Sequence, residues 1–121
     1  MIPFGTESSI AAGVTRYIGV GLSWAATEAN VQHRIPFNAR IKRMFTHAGG
    51  APGVGESFEY TLRVNGADTS LTVTVSDTDT DGENLTDEVI VDAGDLLSVK
   101  IVTSGGASSV IHTVSVEVDP I

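Results

Sequence analysis

Phe58-Glu-Tyr-Thr-Leu-Arg-Val64, Asn65-Gly66-Ala-Asp-Thr-Ser70 and Leu71-Thr-Val-Thr-Val75 form the stretch that decides the fold. Phe58, Tyr60, Leu62 and Val64 alternate with Glu59, Thr61 and Arg63, and Leu71, Val73 and Val75 alternate with Thr72 and Thr74. A period of two puts the apolar set on one face and the polar set on the other, which describes a half-buried strand on each side. Asn65-Gly66 tolerates the positive φ that a chain reversal needs. The distance to Leu71 predicts a loop longer than two residues, so the stretch reads as a β-hairpin with an extended turn.

Downstream the same grammar continues. Residues 88–91 are followed by a tight turn at Asp92-Ala-Gly-Asp95, and then Leu97, Val99 and Ile101 alternate with Ser98, Lys100 and Val102. Ser104-Gly-Gly-Ala-Ser-Ser109 turns the chain again, and His112, Val114, Val116 and Val118 line one face of a closing strand. Upstream, residues 1–13 carry Pro3 and Gly5 and read as an extended arm reaching a neighbour, with Ile2, Pro3 and Phe4 as partner-binding candidates. Residues 14–22 form a first strand in which Gly19 and Gly21 mark bulges or close approach. Trp24 falls in a loop, as a rim or interface anchor. Residues 31–37 and 39–46 give two further strands separated by Pro36 and Asn38, the second with Ile41, Arg43 and Phe45 on one side and Lys42 and Met44 on the other. The glycine-rich run 47–56 reads as a mobile loop. About eight strands with short turns and no helix predict an all-β fold, an antiparallel β-sandwich or jelly roll occupying residues 14–121 as one domain.

A chain of 121 residues is long enough to bury a core without staples, and it contains no cysteine. The first residues have neither a basic run nor an apolar segment of spanning length, so no signal peptide is expected, and synthesis and retention in the cytoplasm of the producing cell follow as an expectation. A net charge of −8 argues against nucleic acid as a partner. No membrane partner is expected. Charge divides along the chain: residues 1–50 hold five basic and two acidic residues, +3, and residues 51–121 hold two basic and thirteen acidic, −11. Either the two halves form surfaces of opposite sign, or strands from both interleave and the charges mix.

The sharpest local motif is Asp77-Thr-Asp79-Thr-Asp81-Gly82-Glu83-Asn-Leu-Thr-Asp-Glu88, which matches the calcium-loop pattern D-x-[DN]-x-[DN]-G-x5-E. Asp77, Asp79, Asp81, Glu83 and Glu88 are therefore candidate calcium ligands. Strand-like flanks replace the helices of an EF-hand, and the competing interpretation is a solvated acidic connection. His33, His47 and His112 have no short metal-ligand spacing, and His112 continues a valine face as a core or oligomer-axis histidine. No nucleophile elbow, zinc-protease or phosphate-loop motif occurs, so no enzymatic activity and no catalytic residue are expected. Trp24 and the tyrosines offer stacking surfaces for a sugar or, equally, packing residues.

Phe58-Glu-Tyr-Thr-Leu-Arg-Val-Asn-Gly66, Leu71-Thr-Val-Thr-Val75, Val89-Ile-Val-Asp-Ala-Gly-Asp95 and Leu97-Ser-Val-Lys-Ile101 resemble the later part of tumour-necrosis-factor-like jelly rolls, above all the bacterial and bacteriophage versions. Asn65-Gly66 and Ala93-Gly94-Asp95 are the turns that match, and the resemblance covers the last two thirds of the chain. It implies a homotrimer with one sheet of each subunit around a threefold axis, for which Tyr17, Tyr60, His112 and Val114 are the candidates. Size and lack of cysteine or stalk further resemble bacteriophage capsid decoration proteins. That likeness implies a virion component binding the major capsid protein or a neighbour, with a trimeric receptor- or glycan-binding head of a fibre or spike as the alternative.

Overall fold

The computed structural model describes residues 1–6, 8–20 and 24–121. Among them nine strands and one 3-10 turn form two packed antiparallel sheets. The strands are β1 (Ile2–Gly5), β2 (Thr15–Ile18), β3 (His33–Arg34), β4 (Ala39–Ala48), β5 (Gly53–Val64), β6 (Ala67–Asp77), β7 (Asp81–Val91), β8 (Leu96–Thr103) and β9 (His112–Pro120), with the turn at Glu28–Asn30. Sheet I runs β1-β9-β4-β7 and sheet II runs β2-β8-β5-β6, with β3 also paired to β8. Apart from the β5-β6 hairpin, spatial neighbours in both sheets are distant in sequence, as in a jelly-roll-like sandwich, and the all-β expectation holds. No helix among the described residues is long and apolar enough to cross a membrane.

The alternation seen in the sequence builds the core. Phe58, Tyr60, Leu62, Leu71, Val73 and Val75 are all buried, and Leu97, Val99 and Ile101 join them from β8. Sheet I answers with Phe4, Ile41, Met44, Val114 and Val116. Each such side chain contributes roughly 1.5–3 kcal/mol on removal from water, which is the main favourable term for a chain without disulfides.

Four local expectations are corrected. The hairpin loop is only Asn65-Gly66, since Val64 pairs with Ala67, and both turn residues have positive φ (51° and 78°). That is the reversal whose twist suits flanking strands, and it extends β6 back to Ala67 through residues too polar to be recognised as strand. In β4, Arg43 takes φ 54° and the register shifts between Lys42 and Phe45, so a bulge turns Ile41 and Met44 inward and leaves Phe45 exposed. The glycine-rich run ends in strand, because β5 starts at Gly53. The stretch 1–13 is no free arm: β1 pairs with β9 from Ile2↔Val116 to Gly5↔Thr113, and Phe4 and Ile10 are buried in the core.

Gly19 is a close approach, as its sequence context suggested; Gly21 lies outside the described residues. A Cβ at Gly19 would run into the Val31 carbonyl oxygen, where the 3-10 turn closes over β2. Gly19→Ala is expected to cost about 1–3 kcal/mol in chemical denaturation, since the obstacle is backbone rather than a movable side chain. An unchanged midpoint would mean that the 28–31 segment is not seated on β2.

Candidate functional site

The acidic motif is pulled straight. β6 ends at Asp77, the Asp79 amide donates to the Ser76 carbonyl, and β7 begins at Asp81, so most of the motif is strand. Asp81 and Glu88 pair with His47 and Lys42, which are five residues apart on β4, so they stand about 16 Å apart at about 3.3 Å per residue, whereas a calcium loop must curl around its ion. Three of the five carboxylates have local work: Asp77 accepts from the Gly55 amide (2.8 Å), Asp81 pairs with His47, and Glu88 faces the Arg40 Nε at 3.1 Å. The His47 hydrogen bond holds the Asp81 carboxyl below the usual range. Asp79 and Glu83 are exposed, and among the described residues no three histidine or carboxylate side chains stand close enough to hold a metal. Asp77, Asp79, Asp81, Glu83 and Glu88 are thus not brought together, because β7 pairs with β4 over residues 81–84 and again from Glu88 to Val91, with a bulge between the two runs.

The expected trimer face is also redistributed. Tyr60, His112 and Val114 lie between the sheets, at 0%, 0% and 1% exposure, and cannot meet a second copy without unfolding. The Tyr60 hydroxyl lies 2.7 Å from His112 Nδ1, and Phe58 sets its ring edge-on to the imidazole at 4.6 Å. Burial lowers the His112 pKa to about 4 and raises that of the Tyr60 hydroxyl, so both are neutral in the folded protein near pH 7. Tyr17 alone is half-exposed, on the outer face of sheet II, with the Arg63 guanidinium 5.5 Å from its ring centre.

The partner-binding candidates separate in the same way. Phe4 is buried, Ile2 packs on the core, and only Pro3 faces solvent. Trp24 packs against the core too; its Nε1 donates to the Ser9 carbonyl (3.1 Å) and Arg16 lies 4.9 Å over its ring. It fastens the 24–31 segment to the N-terminal stretch.

Two features escape the sequence. On the outer face of sheet II, Arg63 donates to both Glu28 oxygens (3.0 and 2.9 Å), to Asp68 (2.8 Å) and to the Gly66 carbonyl (2.7 Å). Ser98 also donates to Glu28, and Lys100 to Asp68 (both 2.7 Å). The cluster clamps the 3-10 turn over the sheet. On the outer face of sheet I, the bulged Phe45 is 49% exposed, Leu85 54% and Met1 78%. With Arg43 and Glu117 they border an open groove of about 540 Å³, uncovered by the rest of the described chain. A regular β4 would have hidden Phe45; the only sequence signal was a run, Arg-Ile-Lys-Arg-Met-Phe, whose alternation fails at Arg43. Beside the groove, Lys42 contacts Glu117 and Asp119 (3.5 and 3.2 Å), and Arg40 faces Glu88. Basic residues of the first half therefore meet acidic ones of the second, and the charges mix.

No protein-family model matches the chain, and no curated protein matches it.

Proposed function

We propose that this protein is a non-enzymatic structural component of a virus particle, a bacteriophage capsid decoration protein that binds the shell as a homotrimer. The observation that carries it is the apolar groove around Phe45 on the outer face of sheet I. Large apolar side chains gathered on the open face of a sheet mark a surface meant to be covered. The resemblance to trimeric jelly rolls supplies the cover, one sheet of each subunit turned toward a threefold axis, and sheet I is the sheet with an apolar outer face. In a closed trimer each modest contact with a shell subunit reinforces the others. Cysteine-free chemistry and acidic net charge suit a protein added to a particle assembled in cytoplasm. The receptor- or glycan-binding alternative calls for a free aromatic platform, and the Trp24 ring is engaged by Arg16 and Ser9.

Light scattering tests the assembly. The expected mass is close to three times 12.6 kDa, and Phe45→Asp is expected to give monomers with an unchanged far-UV spectrum, because the substituted side chain already faces water. A monomeric wild type at tens of micromolar would overturn the trimer, and failure of a trimeric wild type to sediment with shells lacking decoration would overturn the capsid assignment.

A further inference from the structure

His112 is an unusual group to lock inside a sandwich. It is the first residue of β9, it is fully buried, and among the described residues its Nε2 has no hydrogen-bond partner while Nδ1 meets the Tyr60 hydroxyl of β5 in the opposite sheet. Its backbone is equally committed: its amide donates to Thr6 Oγ1 and its carbonyl accepts from the Thr6 amide, both at 3.1 Å. Residues 1–6 depend on this part of β9, whereas Ser9, Ala11 and Gly13 are also held by Trp24, Thr103 and Ser104. Among the described residues β1 pairs only with β9 and, as a four-residue edge strand, has no second neighbour, while Ile10 donates to the Val110 carbonyl.

We propose that His112 is an acid-sensitive latch, whose protonation opens the start of β9 and releases the N-terminal stretch carrying β1 while the β5-β6-β8 body stays folded. An imidazolium between the sheets would need a second acceptor at Nε2 and would carry a charge among apolar rings, whereas opening gives both nitrogens water. The groups facing it offer no rescue. From β5 come Phe58 and Tyr60, from the N-terminal stretch Thr6, and from β4 Ala48, which is directly opposite. Asp81 on β7 is felt at the Tyr60 hydroxyl, but it is directed outward and already paired with His47. Opening would expose Phe4 and Ile10, so it is rare at neutral pH and becomes accessible only when the proton adds its weight. The latch stands whether or not the protein decorates a capsid.

Because His112 is neutral when closed, with a pKa of about 4 against an ordinary 6.5, the open form binds more protons between these values. The opening constant should therefore rise roughly twenty- to thirtyfold from pH 7.5 to pH 5. Amide hydrogen exchange, corrected for the intrinsic effect of pH, measures it directly. The expected result is a rise of that order at the amides of β1, Ile10 and residues 112–116, with β5 and β8 unchanged, and its disappearance in His112→Phe. Should that variant not fold, His112→Gln, which keeps a polar neighbour for Tyr60 without a titrating proton, takes its place. A rise shared by all strands would overturn the latch in favour of global destabilisation, as would a local rise that persists in the variant or no rise at all.

Discussion

Phe58→Ala is expected to lower the free energy of unfolding by about 3–5 kcal/mol, a large share of the roughly 5–15 kcal/mol available to a domain of this size. Phe58 is fully buried in β5, an inner strand of sheet II, and its ring is set at 89° to the imidazole of His112 from sheet I. Truncation removes the apolar area, the edge-to-face contact and the wall of the His112 pocket together, and paired strands on both sides prevent β5 from collapsing into the hole. Urea denaturation followed by tryptophan fluorescence gives the number. Val54→Ala on the same strand, at a side chain 85% exposed, should move the midpoint by no more than about 0.5 kcal/mol. A loss below about 1 kcal/mol at Phe58 would mean that the two sheets are not packed through this ring.

The same residues show what a sequence can and cannot disclose. Phe58, Tyr60, Leu62, Val73, Val99 and Val116 were legible because a regular strand maps period two directly onto inside and outside. Phe45 was not, because one left-handed residue, Arg43, shifts the pairing and inverts every later position in β4. The acidic motif misled for a related reason. A pattern of oxygen ligands specifies calcium only if the backbone curls, and whether residues 81–88 curl is decided by β4, a strand almost forty residues earlier in the chain. Tyr60 and His112 were correctly placed on apolar faces, but alternation does not say whether such a face meets the other sheet or another subunit. The clamp of Glu28, Arg63, Asp68, Ser98 and Lys100 left no signal at all, since its members come from four separate segments that only the fold assembles.

That clamp carries the second large effect. Arg63→Met is expected to cost about 3 kcal/mol at pH 7, because it leaves the Glu28 carboxylate, 14% exposed, with Ser98 as its remaining side-chain hydrogen-bond donor. Hydrogen bonding to Arg63 is what chiefly holds the Glu28 carboxyl below its usual pKa, against the opposing effect of burial. In the wild type, Glu28 therefore contributes stability that is fully present above its unfolded pKa of about 4.5 and fades as pH falls through the lower folded value. In the variant burial prevails, the folded pKa moves above the unfolded one, and Glu28 becomes a group that favours the folded state when protonated. The gap between the two proteins should thus be widest at pH 6 and above and narrow toward pH 4. Glu28→Gln combined with Arg63→Met removes the stranded charge and should recover more than half of the loss at pH 7, although two hydrogen-bonding partners are gone instead of one. Urea midpoints at pH 7 and pH 4 for the single and double variants decide the matter. A gap that does not change with pH, or a double variant weaker than Arg63→Met alone, would show that Arg63 acts through its packing on Tyr17 and not through the carboxylate that it covers.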